Sequence, residues 1–108
     1  MTATNARLFF ENTLPARLTE KGTSGLTAVF QFHIDGDNGG SWSVDLTKEE
    51  SWITEEVCEA ADCTLAMKEE TLLGIINRSV NPQMAFMLGK LKITGNIGLS
   101  LKIPKLLG

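Results

Sequence analysis

Apolar and polar residues alternate along four short runs of the chain. In residues 26–34, Leu26, Ala28, Phe30, Phe32 and Ile34 alternate with Thr27, Val29, Gln31 and His33. In residues 41–47, Trp42, Val44 and Leu46 alternate with Ser41, Ser43, Asp45 and Thr47. Cys63, Leu65 and Met67 form the apolar set of residues 62–68, and Leu91 and Ile93 that of residues 90–94. A period of two sends successive side chains to opposite sides of a strand, so each run predicts one covered face and one wet face. A short strand is expected around residues 51–55. Gly36-Asp37-Asn38-Gly39-Gly40, between the first two runs, reads as a hairpin loop.

Other stretches carry helical spacing. Phe10, Leu14 and Leu18 recur every four residues near the N-terminus, with Pro15 expected to bend that element. Residues 69–78 carry Leu72, Leu73, Ile75 and Ile76 behind an acidic start, Glu69-Glu70, which suits the positive end of a helix dipole. Asn81-Pro82 has the form of an N-cap followed by proline in the first helical position, and Met84, Met87 and Leu88 then share a face. In residues 98–107, Leu99, Ile103, Leu106 and Leu107 fit a helix. Leu99, Leu101 and Ile103 also alternate, which leaves a strand open there. Helical segments thus separate the fourth and fifth strands. The fold class that follows is α+β: one twisted, mainly antiparallel sheet of five strands, covered on one face by helices.

Size and charge narrow the function. The chain has 108 residues, room for one domain over 1–108. Its net charge of −3 offers no basic surplus for a nucleic-acid partner. No apolar run approaches the roughly 20 residues of a membrane span. The first residues lack the basic-then-apolar pattern of a secretory signal, and the last three are not a peroxisomal tripeptide, so a cytoplasmic location is expected.

Reactive constellations are scarce. His33 is the only histidine and falls on the wet side of its strand by parity. Cys58 and Cys63 read as two reduced thiols, a disulfide or redox pair being the alternative, and a metal site would want more ligands nearby. Glu49, Glu50, Glu55, Glu56 and Glu59 read as a solvated face. The glycine-rich loop lacks the lysine and helix start of a phosphate cradle, and there is no tyrosine. These patterns point away from catalysis and call for no cofactor or metal. What the last third has in surplus is apolar material: Met84, Phe86, Met87, Leu88, Leu99, Leu101, Ile103, Leu106 and Leu107. It can fill a core, and methionine also suits surfaces that adapt to varied ligands.

The segment from Asn81 to Leu99, NPQMAFMLGKLKITGNIGL, closely resembles the sterol carrier protein type 2 family. Asp62-Cys63-Thr64, Leu72-Leu73 and Trp42-Ser43-Val44-Asp45 match the same pattern, and the likeness covers roughly residues 5–107. The resemblance implies a single lipid-binding domain with a hydrophobic tunnel between sheet and helices. Such domains bind and transfer fatty acids, fatty acyl-CoA, phospholipids or sterols without catalysis. By position, Phe30, Phe32, Trp42, Leu72, Ile76, Met84, Met87, Leu99 and Ile103 are expected to line the tunnel. Gln83, the glutamine of the Asn-Pro-Gln motif, either meets the polar end of the ligand or is an exposed first-turn residue. Transient membrane contact and either a monomer or a dimer fit this reading. The alternative is a dimerisation or substrate-presenting module that works with a lipid-metabolising enzyme. Pro104 departs from the pattern: inside the final helix it removes a backbone bond and crowds Ser100, which is expected to loosen the tunnel's closure. An empty tunnel would be costly. At roughly 24 cal/mol per Å³, a void of about 300 Å³ costs about 7 kcal/mol, so it must be occupied, hydrated or partly collapsed.

Overall fold

The computed structural model describes residues 5–22, 27–48 and 52–102. Five strands form one sheet: β1 (Val29–Asp35), β2 (Gly40–Asp45), β3 (Ile53–Thr54), β4 (Cys63–Lys68) and β5 (Leu91–Gly95). Their order is β3-β2-β1-β4-β5; only the central β1–β4 pair is parallel. The alternation in sequence becomes cross-strand rows. Trp42, Phe32, Leu65 and Ile93 stand side by side on four strands, and Val44, Phe30 and Cys63 form the next row. All of these but Ile93, which is half-buried, lie in the core.

Turn chemistry sets the register. Between β1 and β2 the chain reverses at residues 36–39, with Gly36 at φ 147°. A Cβ on Gly39 would sit 2.1 Å from the Ile34 carbonyl oxygen, so only glycine fits this close approach. The parallel pair has a different origin. From β3, at one edge, residues 55–62 return across β2 and β1 to begin β4. The Asp62 amide donates to the Val29 carbonyl at 2.8 Å and the Asp62 carboxylate accepts from the Val29 amide at 2.9 Å, which pins the start of β4 beside β1.

That return crosses the face expected to be wet, and here the structure corrects the sequence reading. Gln31 lies on that face yet is 1% exposed. Its Nε2 donates to the carbonyls of Trp42 (3.1 Å) and Glu56 (3.2 Å), and its Oε1 accepts from the Cys58 amide at 2.6 Å. One side-chain amide thereby satisfies backbone groups that burial would otherwise leave unpaired.

Helices cover the other face. The N-terminal helix begins as α1 (Ala6–Leu8), widens through a π-helical stretch (Phe9–Thr13) and continues as α2 (Leu14–Lys21). The expected bend at Pro15 takes the form of this π stretch just before it. The proline ring has no N–H and crowds the preceding turn, and the wider turn relieves that crowding. Phe9, Phe10, Leu14 and Leu18 all face the core. The helix after β4, α3 (Glu69–Ile76), ends two residues earlier than the spacing suggests. Its chain folds back at Gly74, whose carbonyl accepts from the amides of Ser79 and Val80; a Cβ there would lie 2.4 Å from Val80 Cγ2.

The remaining helical elements are α4 (Pro82–Met87) and, after β5, a 3-10 helix (Ile97–Lys102). The segment left open between helix and strand is thus a 3-10 helix over its described part. Leu26, Glu49, Glu50, Ile103, Pro104, Leu106 and Leu107 lie outside the described residues. Among the described residues no helix is long and apolar enough to cross a membrane.

Candidate apolar site

The sequence at α4 explains its exposure. Asn81 Oδ1 caps the helix, accepting from the amides of Gln83 (2.8 Å) and Met84 (3.4 Å), and Pro82 occupies the first helical position. Gly89 at φ 77° ends the turn, and the Lys90 amide donates to the Ala85 carbonyl at 2.8 Å as the chain enters β5. So short a helix, packed on β5, buries one side chain, Ala85. Met84 remains 54% exposed, Met87 78% and Leu88 64%. Phe86, and Ile97 at the start of the 3-10 helix, are exposed as well. That helix packs on β4 and β5, and both its Leu99 and Ile93 of β5 are half-buried against the core. Five of the seven large exposed apolar side chains among the described residues therefore belong to α4, its C-terminal turn and the 3-10 helix. Scattered exposed apolar residues are ordinary, whereas these are concentrated on the elements at the β5 end of the sheet.

The residues expected to line a tunnel separate into two sets. Phe30, Phe32, Trp42, Leu72 and Ile76 are buried. Gln83, Met84 and Met87 are exposed on α4, and Leu99 lies between the two sets. Gln83 is a first-turn residue at the surface; Ile103 is outside the described residues. The N-terminal helix explains the buried set. Phe10 stacks on Trp42 with ring centroids 4.6 Å apart and lies 5.2 Å from Phe32. The Arg7 guanidinium sits 5.4 Å from the Trp42 ring centroid. The aromatic end of the sheet is thus closed by Phe10. Phe10 was visible in the four-residue spacing, but nothing local said which strands it meets. Trp42 Nε1 is buried there with no hydrogen-bond partner among the described residues.

One ion pair anchors the first helix. Arg7 donates two 2.9 Å bonds to the Glu55 carboxylate, tying the first helix to the end of β3. This hydrogen-bonded pairing lowers the Glu55 pKa and raises that of Arg7. Asp45 is lowered chiefly by the Thr47 hydroxyl. Burial, and then Asp62, push the Cys63 thiol up, away from thiolate chemistry. Cys58 and Cys63 are free thiols. His33 Nδ1 lies 2.8 Å from Ser41 Oγ on the opposite face of the sheet and is half-buried, less solvated than parity suggested. No group of His, Cys, Asp and Glu among the described residues could hold a metal.

The architecture is that of the sterol-carrier fold. The chain superposes on the palmitated SCP2L2 of Aedes aegypti with a TM-score of 0.72 at 23% identity, covering 93% of this chain and 92% of that one. Residues 11–108 match the model of the SCP-2 sterol transfer family, and the chain belongs to that family. It is 36% identical over 91 residues to the hydroxysteroid dehydrogenase-like protein 2 of Rattus norvegicus, covering 83% of this chain and 17% of the relative. It is 34% identical over 107 residues to sterol carrier protein 2 of the same organism, covering 94% and 19%. The chain therefore spans less than a fifth of the length of these curated relatives.

Proposed function

We propose that the chain is a single lipid-binding domain, residues 1–108, that takes up a lipid by its alkyl part and transfers it without covalent chemistry. The observation that carries this reading is the concentration of exposed apolar side chains on α4 and the 3-10 helix, together with half-buried Ile93 and Leu99. The palmitated neighbour and the sterol-transfer family support the same class of ligand: fatty acid, fatty acyl-CoA, phospholipid or sterol. In this reading Met84, Met87 and Leu99 hold the alkyl chain, with Leu72 and Ile76 beneath, while Phe30, Phe32 and Trp42 form the rigid wall behind. Gln83 meets the polar end. Loading and release take place by transient contact with a membrane in the cytoplasm.

A twelve-methylene tail contributes roughly 10 kcal/mol gross at about 0.8 kcal/mol per methylene, and lost ligand freedom takes back several. With about 4 kcal/mol taken back, about 6 kcal/mol remains, a Kd of tens of micromolar, which suits pick-up and release. The test is mass spectrometry of lipid extracted from the purified chain, followed by thermal unfolding with and without palmitate. Co-purified lipid and a rise in Tm on adding palmitate are expected. No lipid together with no shift would overturn the reading.

A further inference from the structure

The sheet face turned away from the helices is only half covered. Residues 55–62 cross it over the row Ser43, Gln31 and Thr64. The next row on that face is Ser41, His33, Ala66 and Lys92, neighbours on four successive strands. Beyond it Asp35 pairs with Lys68, and Lys90 directly precedes β5, so Lys68 and Lys90 flank the paired residues Met67 and Leu91. Ala66 is the short side chain in the middle, and the surface dips there into a half-open groove of about 810 Å³.

Three ammonium groups, Lys68, Lys90 and Lys92, line this one concavity in a chain of net charge −3. Among the described residues none of the three is in an ion pair. Two carboxylates, Asp35 and Glu70, also line the groove and leave one net positive charge. Ser41 and His33, held 2.8 Å apart, add neutral hydrogen-bonding groups. Like charges gathered at neighbouring strand positions repel, and a bound anion relieves that repulsion. Phosphate oxygens suit the groove best, because several can accept from ammonium donors at once. The volume falls within the range of small-ligand sites, roughly 300–1,000 Å³.

We propose that this groove, which opens beside Ala66 and reaches the first turn of α3 and the α4–β5 turn at Gly89, binds a phosphate-bearing anion. The phosphate belongs either to a soluble compound or to a lipid headgroup, and the experiment separates the two. Amide NMR spectra are titrated with inorganic pyrophosphate at ionic strength fixed with chloride. In parallel, the chain is co-sedimented with phosphatidylcholine vesicles with and without phosphatidic acid. Saturable shifts at Ala66, Lys68 and Lys92 with pyrophosphate, or retention only on phosphatidic acid vesicles that perturbs the same amides, supports the site and names its source. The double change Lys90→Gln with Lys92→Gln, at two exposed positions, should weaken binding about ten-fold or more, since charge-assisted bonds are lost. Ala66→Glu, which sets a carboxylate on the floor, should abolish it. Absence of saturable binding to both probes overturns the proposal, as does unchanged binding by the double lysine variant.

Discussion

Replacing Met84 and Met87 by glutamine separates a surface that holds a ligand from one that only holds the fold. Glutamine keeps the length of the side chain and its helix preference while removing its attraction to an alkyl chain. Burying a methionine completely is worth about 1.5–3 kcal/mol. Met87 is 78% exposed and Met84 54%, so a lipid lying on α4 can cover at most those fractions. Scaling gives about 1.2–2.3 kcal/mol for Met87 and about 0.8–1.6 for Met84. With both side chains fully covered by lipid, the two changes together should cost about 2–4 kcal/mol of binding, thirty-fold or more in Kd. The same exposure means that the ligand-free chain loses little, within about 0.5 kcal/mol per site, as for most surface substitutions. Calorimetric titration with palmitate and urea unfolding without ligand measure both quantities on one preparation. A Kd within two-fold of the parent would show that lipid does not lie on α4. A fall in ligand-free stability equal to the fall in binding would show that the methionines pack within the fold.

Gln31→Leu should lower stability by about 2–4 kcal/mol, because the Cys58 amide and the carbonyls of Trp42 and Glu56 all lose a bond. Urea unfolding and faster amide exchange at Cys58 check it, and an unchanged midpoint would show that residues 55–61 are held by other contacts. Arg7 holds the Glu55 carboxyl below its ordinary value of 4.5, so the contribution is whole above pH 4.5 and fades as pH falls through the lower folded value. Glu55→Gln should therefore flatten the acid limb of a stability–pH curve, more at low salt than at high, since the pair is exposed; an identical limb in both proteins would refute the pairing. Cys63 is buried with its pKa raised and Cys58 is half-buried, so iodoacetamide near pH 8 should label Cys58 first, read by peptide mass spectrometry. Equal rates would contradict the burial.

Local alternation was enough to read the sheet because its period is a backbone property. Trp42, Phe32, Leu65 and Ile93 were assigned to the covered face strand by strand, and the registers bring them into one row. What alternation cannot show is what arrives from elsewhere in the chain. Gln31 had the polarity of a wet position and is buried, because residues 55–61 are drawn over it by the need to connect β3 to β4. Its side-chain amide can donate and accept at once along a backbone, a signal visible only once a crossing segment is assumed. Helical spacing has the same limit. It put Met84 and Met87 on one face of α4 but not which way that face turns. With Ala85 as the single buried contact, the face turns outward.

The two ends of the helical layer therefore carry different loads. At the β2 end, Phe9, Phe10, Phe30, Phe32 and Trp42 are fully enclosed in one contiguous aromatic cluster, and the Arg7–Glu55 pair ties the first helix down over it. Aromatic pairs add about 0.5–1.5 kcal/mol each beyond the area they bury. At the β5 end, cohesion rests on Ala85, Leu91 and the half-buried Ile93 and Leu99, with the larger side chains outside. A sheet stabilised from one edge can leave its other edge underpacked, because the free energies of local opening are not shared evenly across a fold. In the proposed reading, the enclosed end holds the chain folded whether or not a guest is present, and the surface at α4 exchanges water for alkyl chain.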